Sequence, residues 1–279
     1  MRENAYAKIN LSLDVVSRRE DGYHELSMIM VPLHFYDVLE MDISKEMEIK
    51  QNIGYIPKDE NHTVLKAIKV LRDEFKFKEN FTINLIKHIP TQAGLAGGSA
   101  DAAAAMRLVK KLLKLNVSDE KMIKLAKKVG ADVPFCYMNK PAMVSGIGEK
   151  LHFFKVNTDF NILLVKPKKG VSTKVAFSKL DLNKCDHPNI FAMKKALISN
   201  DYEGVINNLS NSLEQPSFNL VPAIKDIKED MIRLGMDGAL MSGSGSTVFG
   251  LTRDIETLER VNKYFKDKKL FTRKTVIKK

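Results

Sequence analysis

From Tyr6 to Val15 the chain alternates without a miss. Ala7, Ile9, Leu11, Leu13 and Val15 fall on one side, and Tyr6, Lys8, Asn10, Ser12 and Asp14 on the other. A period of two predicts a half-buried β-strand. Phe81-Thr82-Ile83-Asn84-Leu85-Ile86-Lys87 predicts a second strand, closed by Pro90 and a run of small residues. From Ser99 the period changes, with Ala102, Ala105, Met106, Val109, Leu112 and Leu113 at helical spacing. Asp101 in the first turn and Lys110, Lys111 and Lys114 in the last suit the two ends of a helix dipole. A second helix follows, with Ser118 as N-cap, Met122, Leu125, Ala126 and Val129 as its apolar stripe, and Gly130 as terminator.

The second half predicts a strand at Asn161 to Lys166 and an amphipathic helix over residues 219–234, carried by Leu220, Ile224, Ile227, Met231 and Leu234 and ended by Gly235. Strands at Gly238 to Met241 and Thr247 to Leu251 bracket Ser242-Gly243-Ser244-Gly245-Ser246. A helix from about Asp254 and a strand near Leu270 to Ile277 complete the chain. Strands and helices mix without regular βα alternation, which favours an α+β fold over a doubly wound sheet. A length of 279 residues suits two domains. Gly146, Gly148 and a polar stretch put the boundary near 150–160, giving domains of 1–155 and 156–279.

Composition narrows the function classes. No apolar run approaches the roughly 18 residues of a membrane helix, and the segment from Met1 to Tyr6 lacks the apolar stretch and cleavage site of a secretory signal. Cys136 and Cys185 stand in unrelated surroundings, which argues against a disulfide framework or zinc site and for a reducing cytoplasm. The net charge of +11 invites a nucleic-acid reading. The lysines, however, are spread along the chain, and neither a paired-cysteine finger nor an aromatic RNP box occurs. A basic surface also suits a polyanionic small substrate.

The segment richest in chemistry is Pro90-Thr91-Gln92-Ala93-Gly94-Leu95-Ala96-Gly97-Gly98-Ser99-Ala100. A strand runs into small residues, and these run into a helix start, whose N–H groups and positive dipole end attract anions. Gly94, Gly97 and Gly98 let the backbone approach phosphate oxygens. Ser99 adds a hydroxyl, as helix cap or as phosphate or metal ligand. On these residues alone a tight, capped turn into an alanine-rich helix reads as well. The Walker Gly-Lys-Ser/Thr, the dinucleotide glycine spacing and the protein-kinase HRD and DFG sequences are all absent.

The loop resembles the phosphate-binding motif of the GHMP kinases (galactokinase, homoserine kinase, mevalonate kinase, phosphomevalonate kinase). Gly130-Ala131-Asp132-Val133-Pro134-Phe135 is similar to that superfamily's catalytic-aspartate segment, and Met241 to Phe249 to its C-terminal glycine-rich loop. Ala7-Lys8-Ile9-Asn10-Leu11, Arg19-Glu20-Asp21-Gly22-Tyr23-His24 and Asn211-Ser212-Leu213-Glu214 resemble the branch that phosphorylates the cytidyl diphosphate of methylerythritol on the non-mevalonate route to isoprenoids. The Asp-Gly-Tyr-His signature weighs against the alternative, a homoserine or mevalonate kinase. The resemblance implies a two-domain α+β fold with the active site in the cleft between domains. It also implies ATP with Mg²⁺ and transfer of the terminal phosphoryl group to a substrate hydroxyl. Gln92 and Ala93 depart from a pattern richer in glycine, and His62 stands where an asparagine is common near the adenine.

The same resemblance assigns roles. Asp132 becomes the general base that takes the hydroxyl proton, help typically worth on the order of 10² to 10⁴ in rate. Lys8 becomes the cation beside it. Asn10, Tyr23, His24, Phe177, Gly243, Ser244 and Gly245 become substrate contacts, with Tyr23 and Phe177 stacking on the cytosine. Read from the residues alone, Asp132 is equally a turn aspartate and Lys8 a solvent-facing strand lysine. Asn10 is then a polar strand residue, Phe177 plain core, and the segment 243–245 an ordinary hairpin loop.

Overall fold

In a computed structural model, which describes residues 1–54 and 62–279, the alternating N-terminal segment is strand β1 (Arg2–Arg18). A turn at Asp21-Gly22 leads into β2 (His24–Ser44). Both strands are shared by two compact units that are interleaved in sequence. The first comprises residues 1–7, 35–91 and 96–139, and the second 8–34, 92–95 and 140–279. The middle of β1 is buried on both faces, because Lys8, Asn10 and Ser12 are as covered as the apolar residues between them. The expected half-buried strand is therefore a core strand with a polar inner face.

In the first unit β3 (Glu48–Gln51) is followed by α1 (Thr63–Phe75) and β4 (Asn80–Ile86). β3 runs parallel to β4, and β4 runs antiparallel to the second half of β2, from Val38 opposite Ile86 to Ser44 opposite Asn80. Three helices complete this unit: α2 (Gly97–Leu112), α3 (Asp119–Val129) and α4 (Val133–Met138). α2 packs against α1 and α4, and buried Ala100 and Ala102 to Ala105 let it approach them closely. The ends of α3 are those expected: the Ser118 hydroxyl accepts from the Lys121 N–H and Gly130 is the C-cap.

The second unit adds β5 (Ala142–Gly146), β6 (Lys150–Phe153), β7 (Asn161–Lys166), α5 (Thr173–Ser178), α6 (Ile190–Ile198), α7 (Tyr202–Asn207), β8 (Ser210–Asn211), α8 (Glu214–Leu220), α9 (Ala223–Arg233), β9 (Gly238–Met241), β10 (Val248–Thr252), α10 (Ile255–Asp267) and β11 (Phe271–Thr275). β5 pairs antiparallel with the first half of β2 and with β6. Gly146 and Gly148 thus belong to the hairpin that joins β5 to β6. β8 lies parallel to β1 at Ser12 and Leu13. An antiparallel sheet in the order β11-β7-β10-β9 carries α9 and α10. The helix expected over 219–234 is two helices. Pro222 lacks an N–H and forces Val221 out of the helical region, to φ −144° and ψ 82°. Among the described residues no helix is long and apolar enough to cross a membrane.

Candidate active site

The loop from Pro90 to Ala100 is divided: residues up to 91 and from 96 belong to the first unit, 92–95 to the second. Ala96, at φ +56°, turns the chain into α2, which starts at Gly97, two residues earlier than expected, with no side chain capping it. Ser99 is therefore a first-turn residue and not the cap. An uncapped helix start leaves its N–H groups and the positive dipole end for an anion.

A buried ionic cluster supports this turn. Lys87 Nζ ion-pairs with Asp37 and lies 2.7 Å from Asp101 Oδ2. All three side chains are almost fully covered. Asp37 Oδ1 also accepts the N–H groups of His88 and Ile89, where the chain enters the loop. A Cβ on Gly97 would sit 3.2 Å from Lys87 Nζ, so the ammonium stands directly beneath the first helical residue. Burial pushes the Asp101 carboxyl up to about 8, with Lys87 opposing and Asp37 adding to the rise. Burial works against the Lys87 ammonium too, but the two acids outweigh it and raise its pKa. Asp101 thus turns inward onto Lys87 instead of decorating the dipole as expected.

In the second unit the two glycine-rich segments meet. Ser242 Oγ donates to the Gly94 carbonyl at 3.0 Å, and the Thr247 N–H donates to the Ala93 carbonyl at 3.2 Å. Gly94 has φ +71°, and a Cβ there would come within 2.0 Å of the Ser242 carbonyl oxygen. A Gly94→Ala variant is accordingly expected to lose about 1–3 kcal/mol from overpacking and strain, read as a lower urea midpoint with unchanged slope. An unchanged midpoint would mean that the 242–246 loop yields freely.

Lys8 and Asn10 join the same cluster. Lys8 Nζ donates to Asn10 Oδ1 at 2.7 Å, and Asn10 Nδ2 lies 3.1 Å from Met28 Sδ. A Cβ on Gly243, whose φ is +57°, would stand 3.3 Å from both Lys8 Nζ and the Gly94 carbonyl. Lys8 is hence no solvent-facing lysine. The loop around Gly243 is propped by the segment 211–214: Asn211 Nδ2 donates to the carbonyls of Met241 and Gly243, each at 2.8 Å, and Glu214 Oε1 accepts the Met241 N–H. Burial raises the Glu214 pKa, against the pull of Lys228. From α8, Ser217 Oγ donates to the Ser244 carbonyl at 3.2 Å.

The aromatic candidates lie partly together. The rings of His24 and Phe177 are 5.0 Å apart and tilted by 31°. Phe177 is half-buried on α5, so it is not plain core. Burial and then the charge of Arg18 lower the His24 pKa, which favours a neutral imidazole. Tyr23 is 61% exposed, in a turn closed by Arg19 and Asp21. Asp132 is half-buried at the head of α4 in the first unit, and its carboxylate does not cap that helix. Lys8, Asn10, His24, Phe177 and Gly243 to Gly245 belong to the second. His62 caps α1 through Nδ1, which accepts the Val64 N–H; its neighbour Asn61 lies outside the described residues. The Lys87 cluster and Thr173, whose hydroxyl lies 2.8 Å from that of Ser244, were not among the expected residues.

The family model for the GHMP kinases N terminal domain matches residues 62–140, and that for the GHMP kinases C terminal matches residues 193–268. A 4-diphosphocytidyl-2-C-methyl-D-erythritol kinase of Clostridium novyi is 46% identical over 95% of both chains, and one of Bacillus cereus is 40% identical over 92% of this chain and 90% of its own. A crystal structure of 4-(cytidine 5′-diphospho)-2C-methyl-D-erythritol kinase superimposes with a TM-score of 0.84 at 29% identity, covering all of both chains. A homoserine kinase from Cytophaga hutchinsonii shares the fold, with a TM-score of 0.76 at 19% identity, over 98% of this chain and 94% of its own. Read with the uncapped helix start and the paired glycine loops, these matches place the chain in the GHMP kinase superfamily, and it belongs there to the family of 4-diphosphocytidyl-2-C-methyl-D-erythritol kinases.

Proposed function

We propose that the protein transfers the terminal phosphoryl group of ATP to the 2-hydroxyl of 4-diphosphocytidyl-2-C-methyl-D-erythritol, in the non-mevalonate route to isoprenoids. The observation that carries this reading is the buried Lys8–Asn10 pair set against Gly243 and Gly94, in a chain 46% identical to a kinase named for that substrate. Phosphoryl transfer depends chiefly on positioning and on spreading charge. The residues divide accordingly. The loop from Pro90 to Ala100 holds the ATP phosphates, through the N–H groups and dipole at the start of α2, and Mg²⁺ bound with the nucleotide would offset part of their charge. Asp132 takes the hydroxyl proton, Lys8 offsets negative charge, and Asn10 orients the hydroxyl. Gly243, Ser244 and Gly245 meet the diphosphate. Phe177 stacks on the cytosine, Tyr23 covers its other face, and a neutral His24 meets its polar edge. The two GHMP domains occupy 1–155 and 156–279, and the enzyme works in the cytoplasm.

A coupled assay with ATP, Mg²⁺ and the cytidyl diphosphate tests the reading, with homoserine and mevalonate run in parallel. Turnover of either alcohol, without turnover of the cytidyl compound, overturns it. Aromatic stacking contributes ~1–3 kcal/mol per base, so Phe177→Ala is expected to raise KM for the cytidyl substrate about tenfold while KM for ATP stays put. An equal rise in both constants would make Phe177 a structural residue.

A further inference from the structure

Helix α5 carries Thr173 and Phe177, four residues apart and hence on one face. Each touches a different part of the second unit. Phe177 lies against His24, whereas Thr173 Oγ1 and Ser244 Oγ share a half-buried hydrogen bond of 2.8 Å. Ser244 is itself only 8% exposed, and its carbonyl is held by Ser217. Of the helix's residues only Ala176 is buried, and its main packing partner is α8. The Thr173–Ser244 bond ties α5 directly to the glycine-rich loop. Four residues of helix rise about 6 Å, which matches the span of one ribose between a base and its 5′-phosphate.

We propose that Thr173 is a positioning residue for the cytidyl substrate, acting through Ser244 to fix the spacing between the Phe177–His24 pair and the Ser242–Ser246 loop. This rests on the reading above, in which Phe177 stacks on the base and the loop meets the diphosphate. A substrate with base, ribose and diphosphate spans both ends of the strut. A phosphorylated alcohol without a base engages one end alone, so the strut favours the nucleoside diphosphate.

The test compares Thr173→Val, Thr173→Ser, Ser244→Ala and the Thr173→Val/Ser244→Ala pair, with Phe177→Ala as the control for the underlying reading. A lost hydroxyl contact is expected to raise KM for the cytidyl substrate about three- to tenfold in Thr173→Val. KM for ATP and the melting temperature should stay at wild-type values, and Thr173→Ser should restore the constant. Added to Ser244→Ala, the valine should cost nothing further, because both changes remove the same bond. If Phe177→Ala raises KM and Thr173→Val does not, the strut is wrong and the stacking stands. If neither moves it, the base reading fails and takes the strut with it. Full additivity in the double variant, a serine that does not rescue, or equal shifts in both KM values also overturns the proposal.

Discussion

Asp132→Asn is expected to lower kcat by about 10²- to 10⁴-fold, the usual worth of a general base, with both KM values near wild type. The substitution keeps the shape of the side chain and removes its ability to accept a proton. An effect confined to kcat is the signature of an interaction made in the transition state. The position suits such a test, because the Asp132 carboxylate does not cap α4, so the amide should not unravel that helix. Initial rates with both substrates saturating, alongside thermal unfolding of the variant, give the answer. A kcat within a few-fold of wild type would mean that the hydroxyl proton leaves without help from this carboxylate.

Lys87→Met should be as damaging to stability as Asp132→Asn is to rate. Methionine fills much of the lysine's volume but leaves Asp37 buried without its cation, facing Asp101. Removing one partner of a buried pair typically costs about 3–5 kcal/mol, which urea unfolding would report. The cluster also carries a pH signature. The Asp101 pKa rises from an ordinary 3.8 to about 8 on folding. Between those values the folded chain holds a proton that the unfolded chain has released. The stability from this group is thus complete below about pH 4 and is lost as pH rises toward 8. Asp101→Asn, which mimics the protonated acid, should flatten the fall of stability over that window relative to wild type. Parallel curves for the two proteins would place the proton elsewhere.

Much of the fold could be read from periodicity, because most elements bury one face and show it. The strand at Asn161–Lys166 and the caps at Ser118 and Gly130 follow from local chemistry. β1 was legible as a strand but not as a core strand. A period of two says which residues share a side, and it cannot say that the polar side is covered too. The residues proposed for catalysis rest on resemblance; on their own spacing Lys8 and Asp132 look ordinary. The Lys87 cluster did leave a trace. Phe81, Ile83, Leu85 and Lys87 occupy one face of the strand and its extension, and all are buried. A lysine that continues an apolar face needs an acid partner. Which acid could not be read, since Asp37 and Asp101 lie on separate elements brought together only by folding. Thr173 was hidden for a similar reason, because nothing near it in sequence marks the hydroxyl it meets.

The interleaving of the two units has a consequence for how the chain is made. Residues 8–34 leave the ribosome ahead of residues 35–139, yet they belong with residues 140–279, synthesised after them. Ser12 and Leu13 must wait for Ser210 and Asn211, and the Lys8–Asn10 pair must wait for the loop at Gly243. Translation runs from the N-terminus and domains usually fold as they emerge. Here a nascent chain that has reached residue 155 carries strand edges and polar core positions whose partners do not yet exist. Vectorial synthesis therefore leaves this protein with a long interval of exposed β-edge, during which pairing with another chain competes with completion.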